Sequence, residues 1–207
     1  YGEYVTEESV NNITIKDIEN NYDKMFKPNN AYMVISGDVD FEEVKNLVTN
    51  NFKKWKPAKK ELNSQIVDVK DVSSTEVNFI DMPDAVQSEL RVLNITNLRT
   101  NSPDHHATLV ANYILGGAFG SYLNMNLREE NGWTYGAGSS IARNKWTKAT
   151  FRASTSVRNA VTDSAVVETL KEINRIRNEY VTDEMLSNAK AKFLGNFIMS
   201  TEDKSLL

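Results

Sequence analysis

The chain contains no cysteine. That excludes disulfides and cysteine-ligated metals, and it says little about the compartment. Histidine is almost absent: the two present, His105 and His106, are adjacent. Neighbouring helix positions point about 100° apart, so the pair does not grip one ion well. A zinc helix needs histidines at i and i+4 around a glutamate, or the inverted His-x-x-Glu-His spacing, and neither occurs. The pair reads as surface or capping residues, and a conventional zinc centre cannot be assembled from this chain alone. No apolar run approaches the ~20 residues of a membrane-spanning helix. No secretory leader is visible at Tyr1, and both ends, Tyr1-Gly2 and Leu207, look cut. The expectation is therefore a piece of something longer.

Only four prolines occur, and each punctuates the pattern: Pro28, Pro57, Pro83 and Pro103. The 207 residues are 40% hydrophobic, enough for one large or two small domains with a core. The net charge of −4 argues against nucleic acid as the main partner. Positive charge clusters only at Lys53, Lys54, Lys56, Lys59 and Lys60, which reads as a solubilised linker.

Thr6 and Ser9 are plausible caps, and Thr14 followed by Asp17 predicts a capped helix with Ile18, Tyr22, Met25 and Phe26 facing a core. Pro28-Asn29-Asn30 breaks it. Residues 31–36 read as a buried strand ended by Gly37-Asp38, and Phe41 to Phe52 as another amphipathic helix. The expected division is residues 1–60 as the C-terminal part of a preceding α+β domain, 61–74 as a linker and 75–207 as a second domain. That second part predicts strands at 75–82 and 87–98, and a helix from Pro103 to Gly116-Gly117. A short helix at 119–130 and two antiparallel strands at 133–143 and 147–157 follow. Two helices close the chain. One carries Val166, Leu170, Ile173, Ile176 and Tyr180 on its stripe, the other Leu186, Ala189, Phe193 and Phe197. Strands first and helices grouped after them favour α+β over alternating α/β.

Six of the nine glycines fall between Gly116 and Ser140. Gly116, Gly117 and Gly120 sit where one helical pattern stops and another starts, Gly132 at a helix-to-strand turn, and Gly136 and Gly138 in a strand, where another backbone often comes close. Residues 116–121 resemble a phosphate loop only superficially, since they follow a helix and no lysine precedes Ser121. No serine occupies a Gly-x-Ser-x-Gly elbow. Arg128 and Tyr135 remain, and two readings stay open. Either Arg128 pairs with Glu129 or Glu130 while Tyr135 is half-buried in a sheet, or both face a ligand.

Several segments resemble the pitrilysin/insulinase family of zinc metallopeptidases, which includes the mitochondrial processing peptidases. They are Ile114-Leu115-Gly116-Gly117, Leu123, Asn126-Leu127-Arg128-Glu129 and Gly132-Trp133-Thr134-Tyr135-Gly136, with Gly37-Asp38-Val39-Asp40 upstream. The resemblance covers most of the chain. It implies an α+β fold with a mixed, largely antiparallel sheet and helices packed on one face. It implies the end of one domain plus most of the non-zinc partner domain of a clamshell. Residues matching Arg128 and Tyr135 reach the substrate there, and Gly116 and Gly117 would let peptide backbone lie close. Zinc is expected in the complete enzyme, held by another domain of the same or another chain, and none on this chain. The implied partners are a peptide substrate and that zinc-bearing domain, in a homo- or heterodimer, with no nucleic acid and no membrane span. A soluble protein of the bacterial cytoplasm or periplasm is the corresponding expectation. The alternative implied by the family is a non-catalytic member serving as an assembly subunit.

One measurement follows from the histidine spacing. The purified chain is expected to carry no stoichiometric zinc at neutral pH by elemental analysis. A one-to-one zinc signal lost in His105→Ala would overturn that expectation.

Overall fold

Local rules set the first helices. In the computed structural model, which describes residues 4–58 and 68–202, Thr6 and Ser9 cap α1 (Glu7–Asn11) reciprocally. Thr14 and Asp17 do the same for α2 (Ile15–Met25), the Asp17 amide donating to Thr14 Oγ1 at 3.3 Å and the Thr14 amide to Asp17 Oδ2 at 2.9 Å. Each such box satisfies donors that a helix N-terminus otherwise leaves open. A 3₁₀ turn at Pro28–Asn30 leads on to α3 (Phe41–Phe52), capped by Asp40.

Residues 1–65 with 200–207 group into one compact unit and residues 66–199 into another. The expected linker at 61–74 lies partly outside the described residues, which exclude 59–67.

Two expectations for the first unit are corrected. Residues 31–36 are not in a ladder, and Tyr32 and Val34 are exposed. The α2 residues Ile18, Tyr22, Met25 and Phe26 are exposed rather than buried, although Tyr22 and Phe26 stack on each other at 4.9 Å. A strand is stabilised by its neighbours, and no described strand of this unit pairs with 31–36, so α2 has no sheet face to cover.

The second unit is built on an antiparallel sheet of β1 (Gln87–Thr96), β2 (Ala137–Ile141) and β3 (Ala149–Arg158), in the order β1-β3-β2. Val92 and Ser139 both register against Ala153, and Leu90 and Ala137 against Thr155. The predicted strand at 75–82 is a further correction. The chain turns at Met82–Ala85, with Asp84 at φ 67°, and enters β1, but 75–82 joins no ladder and Val77 and Phe79 stay exposed. The period-2 pattern was present; the pairing that makes it a strand is not.

Helix α4 (His105–Asn112) runs into a π turn at Tyr113–Gly117, and α5 (Tyr122–Asn124) into a second at Met125–Glu130. Helix α6 (Thr162–Asn178) and α7 (Asp183–Glu202) as far as Met199 complete the unit. The core is a row of insertions from 114–127. Ile114 and Tyr122 meet Ala189; Leu115 and Leu123 meet Ala153; Leu127 meets Val157 and Ala165.

The stripe expected on α6 holds at Ile173 and Ile176, which pack against the core clusters, and is corrected at Leu170 and Tyr180. Ala165, Thr169 and Glu172 are the buried positions, whereas Leu170 is 44% exposed and Tyr180 is fully exposed. The small Ala165 packs with Val157 and Leu127, and Glu172 is accepted because polar partners meet it. Leu123→Ala is therefore expected to cost roughly 2–5 kcal/mol in denaturant unfolding. Leu170→Ala is expected to cost less than about 1 kcal/mol. Equal losses would restore the leucine stripe as the buried face.

Candidate functional site

The glycine-rich corner is held from both sides. A Cβ on Gly116 would collide with the Ser139 amide and lie 2.8 Å from the Gly138 carbonyl carbon. One on Gly138 would lie 3.0 Å from the Gly116 carbonyl oxygen. The two glycines thus let the end of the 105–117 helix rest directly on β2. Asn112 fastens the contact, donating from Nδ2 to Ser139 O at 3.2 Å and accepting from Ser139 Oγ at 2.9 Å. The space left by Gly116 is filled by the chain's own backbone. Gly117, the last residue of the same π turn, is exposed.

Arg128 lies in the π turn one residue after the core residue Leu127. A π turn adds a residue to the helical repeat, and such turns recur at functional sites. Its guanidinium carbon sits 4.5 Å above the Phe119 ring, and its Nε lies 3.4 Å from Glu129 Oε1. The pairing with Glu129 foreseen in one reading exists. Neither Nη makes a hydrogen bond among the described residues, and the side chain is 35% exposed. Gly132, at φ 65°, then reverses the chain: its amide donates to Arg128 O and the Trp133 amide to Leu127 O, both at 3.0 Å.

Tyr135 is not half-buried; it is 92% exposed. Its backbone is nevertheless held. The Gly136 amide donates to Thr134 Oγ1 at 3.1 Å, and the buried Thr155 Oγ1 lies 3.0 Å from Thr134 Oγ1 and 3.1 Å from Gly136 O. Trp133 packs on the Leu127–Val157 cluster just before it. Just after it, the Ala137 amide donates to Asn124 Oδ1 at 3.2 Å. The phenol therefore projects into solvent from a tied turn.

Asn124 and Asn126, both buried, join the pieces. Asn124 Nδ2 donates to Phe119 O at 2.7 Å. Asn126 Nδ2 donates to Glu168 Oε2 and Glu172 Oε1, each at 2.7 Å, and Asn131 Nδ2 donates to Asn126 Oδ1 at 2.9 Å. Arg175 donates to Glu172 Oε2 at 3.3 Å and covers the Tyr122 ring at 4.1 Å. A buried carboxylate with this many donors is matched rather than stranded. Reading the sequence missed Phe119, Asn124, Asn126, Thr155 and Glu172 as supports. The available signals were an asparagine inside the Asn126-Leu127-Arg128-Glu129 motif and a glutamate on a helix that needed a buried face.

Other candidates fall away. Ser121 is wholly buried. His105 and His106 stack edge-on at 4.9 Å at the start of α4. Among the described residues no group of three or more His, Cys, Asp or Glu side chains is placed to hold a metal ion. No helix of the described residues is long and apolar enough to cross a membrane.

The α+β unit thus presents an arginine and an exposed phenol from a glycine-braced corner, with no metal cluster among the described residues. The chain belongs to the family described as the peptidase M16 inactive domain, whose profile matches residues 12–193, in agreement with the resemblance read from the sequence. It is similar to a Helicobacter pylori protein described as "Non-peptidase homolog YmxG", 25% identical over 195 residues that cover 92% of this chain and 43% of that protein. Its fold matches that of a peptidase M16 inactive domain from Pseudomonas fluorescens at a TM-score of 0.78 and 21% identity, over 91% of this chain and 45% of that one. It also matches a protease from Helicobacter pylori at 0.86 and 18% identity, over 97% and 48%, and a chain of complex III2 from Candida albicans at 0.66 and 16%, over 97% and 48%. The chain spans less than half the length of these relatives.

The Asn126 network makes a pH-dependent support. The Lys171 ammonium, donating at 2.8 Å, and then Asn126 hold the Glu168 carboxyl below its ordinary value. A depressed carboxylate contributes stability above its unfolded value and loses it as pH falls through the folded one. Thermal melts of the chain are expected to drop on acidification below the ordinary glutamate range, and Glu168→Gln is expected to drop less across the same interval. Parallel acid limbs for the two proteins would remove Glu168 from this role.

Proposed function

We propose that this chain is the substrate-binding, non-catalytic partner part of a pitrilysin/insulinase-like zinc metalloendopeptidase, closing over a peptide whose bond is cut by a zinc-bearing domain of the same or another chain. In this reading residues 1–60 end a preceding domain, 61–74 link, and 75–207 form the partner domain. The observation that carries it is Tyr135: a 92% exposed phenol on a turn tied down by Thr134, Thr155 and Asn124. An exposed aromatic adds little to stability where it stands, and fixing its backbone has a purpose when the side chain must meet something. Beside a peptide carbonyl under attack, the phenol O–H donates to the oxyanion as charge develops. Arg128, steadied by Phe119 and Glu129, hydrogen-bonds ground-state carbonyls through its Nη groups. Exposed backbone at Gly117 admits an extended peptide, and Gly116 contributes by seating β2.

A second reading, an assembly subunit without peptide chemistry, is favoured by one observation: the Helicobacter pylori relative is described as a non-peptidase. An assembly role needs neither Arg128 nor Tyr135. Steady-state kinetics of the complete protein separate the two. Tyr135→Phe is expected to lower kcat and kcat/KM together, by on the order of 10²–10³. Arg128→Ala is expected to weaken peptide binding as well. Zinc content and melting temperature are expected to hold for both variants, since the two side chains are outside the core. Near-normal kinetics for both variants would move the assignment to the assembly reading.

A further inference from the structure

We infer that Phe119 is a positioning residue for the peptide-holding arginine: its ring carries the Arg128 guanidinium and sets the plane in which that fork meets a peptide. The inference rests on the peptide-holding reading above and extends it to a residue in the loop before α5. Phe119 is 66% exposed, so core packing does not account for it. Its ring lies under the Arg128 guanidinium carbon at 4.5 Å, within the range in which the negative face of an aromatic ring attracts a cation.

The loop that carries the ring is not left to wander. Asn124, 5% exposed, donates to Phe119 O at 2.7 Å and accepts the Ala137 amide at 3.2 Å. One buried amide thus ties the Phe119 loop to the start of β2, and it does so from the turn that runs directly into the Arg128 helix. Glu129 Oε1, 3.4 Å from Nε, takes the inner side of the guanidinium. With one face on the ring and Nε on the carboxylate, the Nη pair is the part left to meet carbonyls. A planar fork recognises carbonyls only in a defined plane, and fixing that plane beforehand removes rotamer entropy that binding would otherwise have to overcome.

The test is the affinity of the complete protein for a fluorescein-labelled unstructured peptide, by anisotropy, alongside thermal melts. Phe119→Ala and Phe119→Leu are each expected to weaken binding about two- to five-fold, and Phe119→Tyr to bind normally because it keeps the π face. In an Arg128→Ala background the same Phe119 changes are expected to have no further effect. The Arg128 Nε–H NMR signal is expected to show faster averaging in Phe119→Leu, a readout that needs no peptide. Melting temperatures are expected to stay level. Normal binding by Phe119→Leu beside weakened Phe119→Ala would assign the ring a plain apolar contact and overturn the inference. Normal binding by every Phe119 variant beside a weakened Arg128→Ala would also overturn it, leaving the proposed function standing. Normal binding by Arg128→Ala would remove the arginine from peptide holding and overturn the inference, leaving the Tyr135→Phe kinetics to decide the proposed function.

Discussion

The close approach of two backbones at Gly116 and Gly138 is the contact on which the rest of the second unit depends. A single Cβ at Gly116 would enter the Ser139 amide, so the helix end and β2 can touch only because neither brings a side chain to the meeting point. Asn112 then satisfies groups on Ser139 that such a contact would otherwise leave without partners. From this junction Ile114 and Leu115 enter the core, and the loop to α5 leaves in a fixed direction.

Support then passes along the segment through buried amides. Asn124 ties the loop to β2, and Asn126 ties the π turn to Glu168 and Glu172 on α6. The cost of burying Glu172 is offset by Asn126 and Arg175, and the geometry demanded by those bonds specifies one seating of α6 rather than several. Arg128 and Tyr135 sit at the outer margin of this network, where their side chains are available and their backbones are not free to drift. Preorganisation of that kind is what the proposed peptide-holding role would draw on.

Much of this was legible before any coordinates. The caps at Thr14 and Asp17, the stop at Gly116-Gly117, the pair β2 and β3, and the Leu127-Arg128 to Tyr135-Gly136 pattern depend on residues near one another in the chain. Local sterics and short hydrogen bonds decide such features, and a linear sequence carries them. The family and the α+β class follow from the same local marks.

What only the tertiary structure decided depends on residues far apart in the chain. Apolar spacing on α6 was compatible with a stripe through Leu170, and the choice of Ala165, Thr169 and Glu172 came from Val157 and Asn126 on other elements. Residues 31–36 and 75–82 had strand-like patterns, but a ladder needs a partner, and none pairs with them among the described residues. The placement of the Arg128 guanidinium on Phe119 was likewise unreadable, and the exposure of Tyr135 was one of two readings left open. Each is fixed by a contact across a turn or between elements, and periodicity records which residues prefer to be buried, not which neighbours they will find.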